Sequence, residues 1–127
     1  MASKTGRVAG IDERLRFFLN VGVCQLYVGG IDHVCEGGRQ IHHVFNDSLT
    51  QKNPDARKIT YLPEFLAVVC GSGNVNRVAD TTEARRELFR QAVESYGREH
   101  IWALASQLPL ADWGYADLLE ELEDSAP

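Results

Sequence analysis

The chain has 127 residues, of which 44% are hydrophobic and 24% charged, and its formal net charge is −5. This length suits one domain, 1–127, that buries about two thirds of the surface exposed by its unfolded form, enough for a core without covalent staples. The acidic balance argues against a nucleic-acid surface and against anionic membranes, and it leaves room for a protein partner, a basic one in particular.

Cys24, Cys35 and Cys70 are the three cysteines. Their odd number, their wide spacing and the lack of an apolar leader in residues 1–10 point to free thiols in a cytoplasmic protein rather than to a disulfide framework. The longest apolar run, Leu15 to Val28, is interrupted by Arg16, Asn20 and Gln25. It falls short of the ~20 apolar residues that span a bilayer.

Residues 1–10 are polar and contain glycine, the composition of a flexible arm. Leu15, Phe17, Leu19, Val21 and Val23 then recur at every second position, which predicts a strand. Gly29-Gly30 marks a turn. A second glycine pair, Gly37-Gly38, predicts a hairpin that sets Glu36 opposite Arg39, Val34 opposite Ile41 and His33 opposite His42. The same stretch has a rival reading, because Ile31, Cys35, Gly38, Ile41 or His42, Phe45 and Leu49 fall at helical spacing. Residues 46–58 read as a polar loop with turn chemistry at Asn53-Pro54-Asp55, followed by a short strand over Lys58–Tyr61. Pro63-Glu64 suits the first turn of a helix through Phe65, Leu66, Val68 and Val69, ended by Gly71.

The C-terminal part reads as helical. Asp80-Thr81-Thr82-Glu83 fits a capping box with Asp80 as the cap. Leu88, Phe89, Ala92, Val93 and Tyr96 form one apolar stripe. Ile101, Leu104, Ala105 and Leu108 form another, about 150° out of phase, so the helix must break at Gly97; Pro109 stops the second piece. A last helix begins near Asp112. Leu88, Phe89, Val93, Leu104 and Leu118 are the expected core. The fold class is α+β, with short N-terminal strands or a hairpin followed by a helical C-terminal half; an all-α chain of five to six helices is the alternative.

Four places could carry chemistry. In the hairpin register His33, Cys35 and His42 share one face, and two imidazoles with a thiolate suit Zn²⁺ completed by a further ligand such as water. Cys70, ahead of Gly71-Ser72-Gly73, has the setting of a nucleophile whose pKa backbone amides lower, or else of a small core residue. The same glycines lack the third member of a dinucleotide fingerprint, since Asn76 stands in its place. Arg85, Arg86, Arg90 and Arg98 interleave with Glu83, Glu87 and Glu94, the pattern of a self-paired solvated face. Trp113, Tyr115, Leu118, Leu119 and Leu122 lie on an acidic amphipathic helix that can dock in a partner's groove or close its own core.

These features give two functional expectations. The first is a non-enzymatic protein-binding or regulatory module that acts through the C-terminal helix, with a homodimer among its forms. The alternative is a small metal-dependent or cysteine-dependent enzyme that uses His33 and His42 with Cys35 or Cys70.

Overall fold

The computed structural model describes residues 11–45 and 52–124, and the chain it shows is α+β. The arm at 1–10 and the start of the loop at 46–51 lie outside the described residues.

The first element is a helix, α1 (Glu13–Val21), where alternation predicts a strand. The Asp12 carboxylate caps it by accepting from the Leu15 N–H, and Gly22, with φ 83°, ends it in the left-handed region, the two termini that a helix prefers. Ile11, Leu15, Phe18 and Leu19 face inward at helical intervals, whereas Phe17 and Val21, which complete the alternation, are exposed. A one-turn helix, α2 (Gln25–Val28), follows.

The sheet has two antiparallel strands, β1 (Arg39–His43) and β2 (Leu66–Cys70), with Arg39 opposite Cys70 and His43 opposite Leu66. The partner of β1 is therefore distant in the chain, not the segment across Gly37-Gly38. Residues 31–38 form a loop with no helix or strand. Gly37 does adopt a positive φ of 92°, but its turn brings the loop against Gly71: a Cβ on Gly37 would lie 3.2 Å from the Gly71 Cα. The Ser72 N–H donates to the Glu36 carbonyl there at 2.8 Å.

Between the strands runs α3 (Pro54–Thr60), capped by Asn53, which absorbs the strand expected over Lys58–Tyr61. Pro63–Phe65 is a single 3₁₀ turn, and the helix expected after it is β2 instead. Every residue of β2 is buried. A strand covered on both faces reads as a continuous apolar run, which periodicity cannot tell from a buried helix. Gly71 then opens a short helix, α4 (Gly71–Val75), rather than ending one.

The C-terminal helices are α5 (Thr82–Tyr96), α6 (Arg98–Ala105) and α7 (Ala116–Asp124). The break falls at Gly97, whose φ is 93°. Thr81, not Asp80, caps α5, its hydroxyl accepting from the Ala84 N–H. Leu88, Phe89, Val93 and Leu118 are buried, while Leu104 is only partly covered. Arg90 pairs with Glu87 and Glu94 along α5. Among the described residues no helix is long and apolar enough to cross a membrane.

The two faces of β2 serve different cores. Leu66 and Val68 pack with α1 around Leu15. Ala67, Val69 and Cys70 pack with Leu26, Ala84 and Leu88. A third cluster joins Phe45, Phe65 and Phe89 to α6 and α7. Among the described residues the edge of β2 away from β1 has no strand beside it, and side chains reach it instead. Gln25 Oε1 accepts from the Val68 N–H at 2.7 Å, and Arg14 donates to the Leu66 carbonyl at 3.0 Å. Gln25 in turn donates to Gln91 Oε1 at 2.9 Å, and Gln91 donates back to the Gln25 carbonyl at 3.0 Å.

Gln25 is thus a buried hub linking α2, β2 and α5. Gln25→Leu, close in size, would leave the Val68 N–H and Gln91 Oε1 unsatisfied, while Gln91 Nε2 keeps the residue 25 carbonyl and Glu87. Each such group costs about 1–3 kcal/mol. Urea unfolding should show a loss in that range or larger; a change under about 0.5 kcal/mol would mean the hub contributes little.

Candidate metal centre

Cys24, His33, Cys35 and Cys70 converge at one end of the sheet. Their ligand atoms all lie within 4.8 Å of one another, although the residues come from three separate stretches of chain. Cys24 sits at the N-cap position of α2, and Cys70 ends β2 at the N-cap position of α4. His33 and Cys35 come from the loop fastened over Gly71. Cys24 and Cys70 are 3% and 0% exposed, and His33 and Cys35 are partly exposed.

The imidazole is oriented for a metal. His33 Nδ1 lies 2.7 Å from the Ile31 carbonyl, which can only accept, so Nδ1 carries the proton and Nε2 of the neutral ring keeps its lone pair. That lone pair faces Cys24 Sγ at 3.7 Å. Metal-bound histidines are held in this way by an outer carbonyl. A tetrahedral Zn²⁺, with Zn–S of about 2.3 Å and Zn–N of about 2.0 Å, separates its ligand atoms by about 3.5–3.8 Å. The Cys24–His33 spacing already matches, and the set as a whole needs only a small contraction.

The thiols influence one another. Burial alone would raise Cys24, but backbone hydrogen bonds from Tyr27 and Cys70 and the neighbouring His33 and Cys35 side chains bring it down to about 7. Burial together with the Cys24 and Cys70 sulfurs pushes Cys35 up to about 11. The Ile31 carbonyl raises His33 against burial, helped by Cys24 and Cys70. Cys70 Sγ accepts from the Gly73 N–H at 3.2 Å. Crowded sulfurs that resist simultaneous ionisation are what a divalent cation relieves.

Gly73 is required by this packing. A Cβ there would stand 2.7 Å from Leu26 Cδ1, 3.3 Å from Cys70 Sγ and 3.5 Å from His33 Cδ2.

Of the residues that the sequence singles out for metal, the structure brings His33 and Cys35 together and leaves His42 elsewhere, because β1 pairs with β2 and not with the loop. His42 is buried, with Nδ1 3.3 Å from Asn74 Oδ1 and Nε2 3.7 Å from Asp80 Oδ1. Sequence reasoning does not find Cys24 as a ligand, and it offers Cys70 only as a nucleophile or a core residue. The signal that unites them is the cysteine count itself, since all three meet at one histidine. Of the C-terminal group, Tyr115, Leu118 and Leu122 are buried in the chain's own core, and Trp113 and Leu119 pack partly covered against it.

Comparisons with protein families, with curated proteins and with solved structures return no match.

The packing at Gly73 can be tested directly. Gly73→Ala should weaken metal affinity about 10–100-fold, the usual effect of disturbing the support of a ligand, with the far-ultraviolet spectrum unchanged. Competition against a chromophoric chelator measures it, and unchanged affinity would show that the packing around Gly73 does not hold the ligands. A separate expectation concerns His42, whose pKa burial lowers despite the opposing pull of Asp80 and Asn74. The unfolded chain then takes up a proton below about pH 6.5 that the folded chain refuses, so stability falls as pH drops below that point. Thermal denaturation at several pH values should show a shallower acid loss for His42→Gln than for the parent. Equal slopes would mean that the buried imidazole is protonated in the fold.

Proposed function

We propose that the chain is a zinc-binding module without catalytic activity, in which Cys24, His33, Cys35 and Cys70 hold one ion. The observation that carries this reading is the mutual approach of three sulfurs and one correctly presented imidazole nitrogen within 4.8 Å. Thiolate-rich tetrahedral sets favour Zn²⁺ among the common divalent ions. The compact spacing suits one ion, whereas a two-iron cluster divides its ligands between two centres. Four protein ligands close the shell, the pattern of structural rather than catalytic zinc.

The ion would clamp the loop at 31–38 to α2 and to the end of β2, ordering the half of the chain that has the least regular structure. A module of this kind works by the surface it presents, which favours the protein-binding or regulatory reading over the enzyme. Tyr27, Val28 and Val34 are exposed apolar groups beside the site. At the other end Trp113 and Leu119 remain partly open.

Protein purified without a histidine tag should carry one zinc per chain by elemental analysis. Replacement by Co²⁺ should give the visible absorption of a tetrahedral thiolate site. Zinc at a thousandfold excess over its Kd should stabilise the fold by about 4 kcal/mol, and a strong chelator should remove that gain. A chain that takes up no metal, and whose Cys24 alkylates rapidly near neutral pH, would overturn the proposal.

A further inference from the structure

Two of the three sulfurs differ from the third in access. Cys24 and Cys35 both line an open pocket of about 380 Å³, together with Gly22, Tyr27, Val28 and Arg39. Cys70 is fully buried, and the Gly73 N–H holds its sulfur. Cys35 lies on the irregular loop next to Gly37, while Cys70 ends a strand paired along its length. Arg39 fastens the two accessible segments together. Its Nε donates to the Gly22 carbonyl at 2.8 Å, two residues before Cys24, and its Nη1 to the Gly37 carbonyl at 3.1 Å, two residues after Cys35.

We propose that Cys24 and Cys35 are a peroxide-reactive pair whose oxidation to a disulfide expels the metal. The expulsion rests on the zinc reading above; the bond between the two sulfurs does not. Their Sγ atoms lie within 4.8 Å, and a disulfide needs about 2.05 Å, a closure that the loop supplies by moving Cys35 while Arg39 keeps its base beside Cys24. The chemistry balances with hydrogen peroxide as the oxidant. Cys24, which reaches the pocket and ionises more readily than Cys35, attacks one peroxide oxygen as the thiolate; the O–O bond breaks and hydroxide leaves, taking a proton to become water. The Cys35 sulfur attacks the resulting sulfenic sulfur and gives its own proton to the departing hydroxide, so the S–S bond forms and a second water leaves. The two sulfurs lose two electrons: one thiolate, one thiol, one peroxide and one proton give the disulfide and two waters. Zn²⁺ keeps its oxidation state and leaves because half of its ligands are gone.

The test uses the full chain, zinc-loaded and chelated in parallel, treated with hydrogen peroxide, alkylated and mapped by mass spectrometry while a chromophoric indicator follows free zinc. The expected result is a Cys24–Cys35 bond with Cys70 alkylated, zinc release in step with bond formation, and reversal of both by a thiol reductant. The chelated sample should form the same bond at least tenfold faster. A bond that includes Cys70, oxidation that stops at sulfinic acid, or zinc release without the Cys24–Cys35 bond would overturn the proposal. If the chain never holds zinc yet forms this bond, the zinc reading fails and the reactive pair stands. Zinc uptake without the bond means the opposite: the zinc reading stands and the reactive pair fails.

Discussion

A two-stranded sheet leaves each strand with an open edge, and in this protein β2 is buried along its whole length. Buried backbone groups cannot go unpaired without cost. Side chains must therefore serve the outer edge of β2, and they meet it at three points. Arg14 from α1 meets the Leu66 carbonyl, and Gln25 from α2 meets the Val68 N–H. Cys24, one residue before Gln25, takes a backbone hydrogen bond from Cys70. The three residues stand in order along the edge. They fix where α1 and α2 lie, and they bring two of the sulfurs together.

The candidate metal centre is thus an extension of the same solution. Completing the strand edge places Cys24 beside Cys70, and the β1–β2 register determines where the loop before β1 can go. Since Arg39 is opposite Cys70, the chain just ahead of β1 must pass the end of β2, where His33 and Cys35 are delivered. Gly37 and Gly73 let backbone and sulfurs approach at distances that a Cβ would crowd. The buried amide pair of Gln25 and Gln91 ties this assembly to α5, so the helical part and the ligand-bearing part share one framework.

The C-terminal helices are legible in the sequence because their signals are local. The phase change between the two apolar stripes and the glycine between them require a break, and it falls at Gly97. The strand pairing is not legible, since the partner of β1 lies far along the chain, beyond α3, and no local pattern reports it. In α1 the alternation misleads because Phe17 and Val21, both exposed, happen to complete it; Asp12 and Gly22 are the better guides. Of the ligands, His33 and Cys35 are near neighbours and visible as a pair. Cys24 and Cys70 join them only through the register of a sheet that the sequence does not disclose.

The spread of the four ligands along the chain also bears on synthesis. A growing polypeptide presents Cys24 first, then His33 and Cys35, and only much later Cys70, with β1 waiting unpaired in the interval. No ion can be captured by the full set until β2 has emerged, because the last ligand belongs to its final residue. Until then the early segment has three imidazoles, two thiols and an unsatisfied strand, a combination open to wrong partners. Assembly of this half therefore cannot precede the arrival of Leu66–Cys70, and it is completed only when α5 brings Ala84, Leu88 and Gln91.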